Sequence, residues 1–202
     1  MTDRLRAIEG LALVATLTSV FGEIHPLCDQ FVQSSHDAMT KGMHGSHLVY
    51  RADGSPVEEN PWRHGKDGRT CTASAYGRKS VCRHCLSYTA VQLASTVAVT
   101  RTLGYRVPVS ALLTGAAINA ITHGIIDRRD PLIWLAEKAG KGGYLKHATV
   151  VRKAGPDRPE PVQDVSGPGT ALMELDQAAH RAIGVAAALV TAWITLRKGG
   201  RR

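Results

Sequence analysis

The sequence predicts an all-α protein, an antiparallel bundle of four main helices expected to lie in a membrane, carrying two long polar loops. Three observations lead there. Four weakly apolar segments are separated by polar, turn-rich stretches. The 44% hydrophobic content comes from Ala, Val, Leu and Ile, with only 5% aromatic residues and 20 glycines, a small-side-chain composition that lets helices approach closely. Histidines and aspartates recur four residues apart at the ends of those segments.

The first segment runs from Gly10 to Gly22 without a charge and continues as helix toward Gln33, with a break or kink expected near Pro26. The second runs from Cys85 to Thr100 and ends at Arg101. The third, Val107 to Ile126, alone reaches the roughly 20 residues that a spanning helix needs. The fourth, Ala182 to Leu196, is closed by Arg197, Lys198 and a Gly-Gly stop. Residues 44–80, with DGSP, ENPW and HGKDGR, read as a polar loop insertion, and residues 138–168, with AGKGGY and AGPDRPEPVQ, as a second long loop. Within the latter, VVRK has a strand-like composition. No internal repeat is evident, and one domain over residues 1–202 is expected.

The formal charge of +8 and a pI near 9.6 fit an anionic surface or partner. Nucleic acid is not the expected partner, because no helix carries a long Lys/Arg stripe with interleaved aromatics. A mean hydropathy of -0.11 is low for a multi-pass protein, although long polar loops dilute such an average. With a cytoplasmic N-terminus and four spans, Arg4 and Arg6, Arg101 and Arg106, and Arg197, Lys198, Arg201 and Arg202 all fall on the cytoplasmic side. That is a positive-inside pattern, so a multi-pass cell-membrane protein with both termini cytoplasmic is expected, with the lipid bilayer as a partner. A soluble Ala-rich helical binding protein is the alternative. The opening MTDRLRAIEG does not read as a removable leader, and four cysteines are too few for a disulfide scaffold.

The chemistry-bearing pattern is a set of i,i+4 pairs. His25 and Asp29 end the first helix, His84 and Tyr88 open the second, His123 and Asp127 close the third, and Asp176 and His180 open the fourth. Residues four apart share a helix face, and antiparallel connection brings all four pairs to one end of the bundle. Imidazole plus carboxylate is a donor mix suited to zinc and harder divalent ions. Expected metal ligands are His25, His84, His123, Asp127, Asp176 and His180, holding a divalent metal such as zinc. Asp29 and Asp127 are the candidate catalytic carboxylates.

Each pair also has a plain structural reading: Asp176 as a helix cap, Asp127 as an ion-pair partner of Arg128 or Arg129. A second set, His64, Cys71, Cys82 and Cys85, contains one C-x-x-C, but its other ligand pair is too stretched for a zinc ribbon. Cys82 and Cys85 at a helix start are poorly oriented for a mutual disulfide. His36, His44, His47 and His147 are expected to be solvated.

Four ordered motifs carry a family resemblance. They are His25-Pro-Leu-Cys-Asp29-Gln-Phe-Val-Gln33 with Lys41-Gly42, then His84 with Tyr88, Thr89 and Gln92. His123 follows with Asp127, Arg128, Arg129, Pro131, Leu132 and the GKGG of residues 140–143, and last Gly167 to Thr170 with Asp176, Gln177 and His180. In these the chain resembles an uncharacterised family of membrane proteins, domain of unknown function 3307, in the branch found in actinobacteria and their mobile elements. The polar insertion between residues 45 and 77 is longer than the family pattern, and Phe31 stands where Trp is commoner. The resemblance implies the architecture and the candidate residues and no established reaction.

The leading functional expectation is a metal-dependent hydrolase at the membrane surface, acting on a small or lipid-linked anionic substrate, with Arg128 or Arg129 holding the anion. The competing expectations are a non-enzymatic accessory protein of a mobile element with a structural metal or ion site, and a soluble helical binding protein.

Overall fold

The computed structural model describes residues 3–59, 61–65, 68–153 and 160–198. The AGPDRP turn stretch at 154–159 and the terminal Arg201 and Arg202 lie outside these. Helices hold 67% of the described residues. Seven α-helices are present among them: α1 (Asp3–Leu27), α2 (Ser35–Thr40), α3 (Ala73–Thr102), α4 (Val109–Ile126), α5 (Asp130–Lys138), α6 (Gly142–His147) and α7 (Ala171–Arg197). Four short strands form two antiparallel pairs, β1 (Leu48–Tyr50) with β2 (Thr70–Thr72) and β3 (Val150–Arg152) with β4 (Val162–Asp164).

The long helices α1, α3, α4 and α7 pack together, each antiparallel to its neighbours. Along α1 and α7, Gly10 lies against Leu196 at one end while the His25 and His180 rings stack at the other. Along α4 and α7, Gly115 faces Thr191 and His123 meets His180. Tyr88 of α3 reaches Asn119 of α4, and Asp29 beyond α1 reaches His84 of α3. The apolar core, Leu13, Leu17, Val20 and Phe21 against Ala187, Ala188 and Ala192, fills the half of the assembly away from the histidines.

Local chemistry explains the helix limits. Thr72, Ser34 and Thr170 are N-caps whose hydroxyls accept the backbone N–H of Ala75, Asp37 and Met173. Pro26 sits inside α1 and removes one main-chain donor, and the chain continues past Leu27 as a π-helical turn, Cys28–Val32. The expected kink is therefore a widened turn, with Asp29 in it.

Several expectations need correction. The second main helix begins at Ala73 and not at Cys85, so His84 lies well inside α3, and the 44–80 stretch holds β1, β2 and the start of α3. Its polar first turns are held by tertiary contacts: Thr40 and Ser80 share a hydrogen bond, and Arg83 pairs with Asp37. Burial alone would raise the Asp37 pKa, but the guanidinium beside it lowers it. The 138–168 stretch holds α6 and the β3–β4 pair, so VVRK is a strand at Val150–Arg152. The chain is mostly helical, as expected, with two small strand pairs in its connections. The fourth main helix starts at Ala171, which places Asp176 inside it and gives the cap to Thr170. Beyond α4, Asp130 opens the short helix α5.

Around the histidine end the two long connections form caps. The first packs Val49, Ala73 and Tyr76 together, and the second packs Ile126, Leu132 and Leu172.

The α4–α7 contact depends on the missing side chain at Gly115, since a Cβ there would overlap Thr191 Oγ1 and lie 3.5 Å from the Ala187 carbonyl oxygen. Gly22 of α1 has open space around it. Gly115→Ala should therefore destabilise the protein by about 1–3 kcal/mol through overpacking. Gly22→Ala should be neutral or stabilising by up to about 1 kcal/mol through helix propensity. Thermal midpoints of the two purified variants in detergent, compared with the parent, decide this; equal midpoints would mean that α4 and α7 separate without cost.

Candidate metal centre

All seven predicted His and Asp residues converge. His25 and Asp29 come from α1 and its π-helical turn, His84 from α3, His123 and Asp127 from the end of α4, and Asp176 and His180 from α7. Three overlapping groups bring ligand atoms within 4.8 Å of one another: His25, His123 and His180; Asp29, His84 and His123; and Asp127, Asp176 and His180. The four rings stand at centroid separations of 4.4 Å for His25 and His180, 4.2 Å for His123 and His180, and 4.9 Å for His84 and His123. All four are buried.

Carboxylates bridge the rings. Asp29 lies 3.4 Å from His25 Nε2 and 3.2 Å from His84 Nε2, and accepts from Gln177 Nε2 at 3.2 Å. Asp127 lies 3.3 Å from His123 Nε2 and 3.6 Å from His84 Nε2. His180 Nδ1 faces the Asp176 carbonyl oxygen at 2.9 Å, which leaves its Nε2 directed into the cluster. That arrangement, one ring nitrogen tied to a main-chain oxygen and the other free, is how a ligating histidine is oriented.

The donor set fits a cation. Ten buried side-chain polar atoms of the described residues have no hydrogen-bond partner, and seven of them belong to this cluster: His25 Nδ1 and Nε2, Asp29 Oδ1, His84 Nδ1, His123 Nδ1, Asp127 Oδ2 and His180 Nε2. Each such orphan costs about 1–3 kcal/mol. His84 Nε2 and His123 Nε2 face each other at 2.9 Å, where two neutral acceptors would repel unless a proton or a cation lay between them. Two nitrogens on one tetrahedral zinc stand about 3.3 Å apart, so a small opening of the pair admits an ion.

Lys41, at the end of α2, donates to Asp127 Oδ1 at 2.9 Å, and neither of the expected arginine partners does. Burial pulls the Lys41 pKa down, but the facing Asp127 and Asp29 carboxylates outweigh it and the pKa is raised. Burial likewise pushes Asp127 up, and the His123 ring and the Lys41 ammonium reverse this, holding the carboxyl far below the usual carboxylate range. Arg128 is occupied elsewhere, donating to the Lys41 and Met43 carbonyl oxygens at 2.9 and 2.8 Å. Arg129 has φ +63° and ψ -50°, and the Asp130 N–H donates back to the Arg128 carbonyl at 2.8 Å. This is a γ-turn of the rare positive-φ kind, strained by roughly 1–3 kcal/mol for a residue with a Cβ.

Lys41 and Gln177 complete the site without having been among the predicted ligands. The only sequence signal for them was their place in the Lys41-Gly42 and Asp176-Gln177 motifs. His64 and Cys71 are remote from Cys82 and Cys85 in ligand terms, no metal-like grouping of them occurs among the described residues, and all four cysteines are free thiols. His36 is not simply solvated: its ring shares a hydrogen bond with Tyr76, and His44 faces Asp130 at 3.3 Å.

Comparison of the chain with protein-family models, with curated proteins and with solved structures finds no match.

Asp127 and Asp130 are three residues apart, yet the first is 1% exposed within the cluster and the second has a side chain 70% exposed beside His44. Asp127→Asn should lower divalent-metal affinity about 10–100-fold, as loss of a ligating or ring-orienting carboxylate does. Asp130→Asn should leave it within about twofold, since a solvated carboxylate adds little. Metal titrations of both purified variants under identical conditions test this, and equal affinities would reduce Asp127 to a partner of Lys41.

Proposed function

We propose that the chain is a membrane-embedded metal-binding protein, an antiparallel four-helix bundle whose His/Asp centre catalyses metal-dependent hydrolysis at the bilayer surface. The observation that carries it is the convergence of seven buried His and Asp residues at one end of helices whose outward surfaces are apolar.

Among the described residues, three helices are long and apolar enough to cross a membrane: the stretches Arg4–Val32, Val109–Ile126 and Ala171–Arg197. The fourth spanning element of the proposed bundle is α3, and its surface supports the reading by inversion. Its buried positions include His84, Tyr88, Gln92, Thr96 and Thr100, a polar row at every fourth residue, whereas Leu86, Ala90, Ala94, Ala98 and Val99 face outward. Water would select the opposite arrangement. In lipid, polar side chains turn toward the bundle interior and apolar ones toward the acyl chains. From Ala182 to Leu196 the exposed residues of α7 are apolar as well, and Trp193 with Arg197 stacked on it at 4.2 Å forms an interfacial anchor. The positive-inside pattern supports cytoplasmic termini, with the centre toward the opposite face. The motif resemblance to domain of unknown function 3307 supports the same architecture.

When bound, a divalent ion supplies Lewis acidity that makes water nucleophilic near neutral pH. The chain's own part is positional. Four imidazoles and the Asp127 and Asp176 carboxylates present donors from four helices; Gln177 orients Asp29, and Lys41 keeps Asp127 ionised. Asp29 lines the cavity above the centre, so it is the carboxylate placed to take a proton from water entering there. A second reading, a structural ion site in an accessory protein, is favoured by the near-complete burial of all four rings.

The test is metal stoichiometry of the detergent-purified chain together with the spectrum of its cobalt form. We expect at least one equivalent of zinc per chain, lost on His123→Ala, and a cobalt spectrum that shifts when azide is added, reporting an open coordination position. An azide-insensitive tetrahedral spectrum would favour the structural site. A parent protein that takes up no divalent metal would exclude both readings.

A further inference from the structure

Above the centre, between the two caps, lies a cavity of about 210 Å³ with Asp29, Asp127 and Asp176 on its floor. Two cations line it, Lys41 and Arg129. Lys41 is committed to Asp127, and Arg128, one residue away, is committed to the Lys41 and Met43 main-chain carbonyls. Of the three side chains, the Arg129 guanidinium alone makes no hydrogen bond or ion pair among the described residues. Its side chain lies across the backbone of Gly42, where an added Cβ would stand 2.9 Å from Arg129 Nε. The absence of a side chain at residue 42 leaves room for the guanidinium at the cavity wall.

The strained γ-turn adds a second observation. Nothing in the packing of α4 or α5 requires an arginine at φ +63°, because a glycine would adopt that turn without strain. A residue kept in a costly conformation with a free guanidinium at a cavity is held there for what the guanidinium binds. The floor and walls decide the ligand's charge. Three carboxylates against Lys41 and Arg129 leave one excess negative charge, and a divalent ion converts this to one excess positive charge. An anion is therefore accepted only when the centre is loaded. The cavity is smaller than the ~300 Å³ at which drug-sized pockets begin, so it takes a headgroup-sized anion and not a whole lipid or nucleotide. Leu132, Leu172 and Met173 give the cavity an apolar side against which the rest of the molecule can lie.

We propose that this cavity is the subsite for the phosphoryl group of a phosphomonoester, with Arg129 as the residue that selects it. The inference rests on the metal-centre reading above and deepens it: the planar fork of an arginine matches two phosphoryl oxygens at once, which a lysine cannot do. Arg128 has a structural role, not an anion-binding one.

The deciding variant is Arg129→Gly, which removes the guanidinium and relieves the turn, so loss of binding cannot be ascribed to misfolding. Zinc content, thermal midpoint and inorganic phosphate affinity are measured on the full-length zinc-loaded protein in neutral detergent, for the parent, Arg129→Gly, Arg129→Lys and the control Arg63→Ala, whose guanidinium pairs with Asp53 at 3.0 Å and does not line the cavity. The expected result is a phosphate affinity lowered about tenfold or more in Arg129→Gly and by less in Arg129→Lys, as follows from losing a charge-assisted fork. Arg63→Ala should match the parent, zinc content should be unchanged in all four, and the Arg129→Gly midpoint should rise by about 2–4 °C. Phosphate binding should vanish when zinc is removed. Competition by phosphatidic acid in bicelles would identify a lipid headgroup as the source, and competition by glycerol phosphate alone a soluble monoester. Zinc-loaded parent that binds no phosphate, or Arg129→Gly that binds it as well as the parent, overturns the proposal and leaves the metal centre standing. A parent that binds no zinc overturns the metal centre, and this subsite with it.

Discussion

The burial of charge at one end of an otherwise apolar helix assembly constrains everything around it. Asp127 is 1% exposed, and an isolated carboxylate so placed would be protonated or would unfold its surroundings. It stays ionised because α2 delivers Lys41 to it and because His123, on its own helix, stands beside it. Lys41 reaches Asp127 only if the first cap folds over the end of α4. That cap is held by Arg128 gripping the carbonyls of Lys41 and Met43, and by Gly77 of α3, where a Cβ would lie 2.5 Å from the Met43 oxygen. One electrostatic requirement thus fixes the position of a connection that has little apolar core of its own.

The same requirement explains why α1 gives up regular geometry where it does. Asp29 must serve rings on two helices, His25 on its own and His84 across the interface. Pro26 has already removed a main-chain bond from the last turn of α1, so the widening into Cys28–Val32 costs less there than elsewhere. The strained turn at Arg129 and the orphaned ring atoms lie at the same end of the molecule. Below the centre, from Tyr88 downward, the buried threonines donate to carbonyls four residues back in their own helices, and the packing is ordinary. Departures from local rules are concentrated at the end that holds the His/Asp cluster.

What the sequence revealed follows from which forces act locally. The i,i+4 pairs were legible because helical periodicity is a local property, and antiparallel connection then forces the pairs to one end; all seven residues meet as that argument requires. The long helices were recognised by their apolar middles. Their ends were not, because the first turns of α3 and α7 are polar and become helical through caps at Thr72 and Thr170 and through contacts to distant segments. The short elements α2, α5 and α6 and both strand pairs were hidden for the same reason: each is stabilised by what it packs against, not by its own pattern. Lys41 was not legible as a partner of Asp127 because no helical spacing links the two, and they lie 86 residues apart.

The inverted pattern of α3 bears on how such a chain reaches its folded state. A helix with Leu86, Ala90, Ala94 and Ala98 outward and Tyr88, Gln92, Thr96 and Thr100 inward has no reason to associate with its neighbours in water, where its apolar face would be the one to bury. In a bilayer the preference reverses. The apolar face is already satisfied by lipid, and the polar row gains only by meeting Asn119 on α4 and the histidines at the end of the bundle. Assembly is then directed by the polar interior. Its strongest element, seven convergent metal-type donors, lies at one end, so it sets the register of all four helices at once. On the proposed reading the His/Asp cluster also specifies the fold, and an ion bound there would stabilise the assembled state over every arrangement in which the helices are out of register.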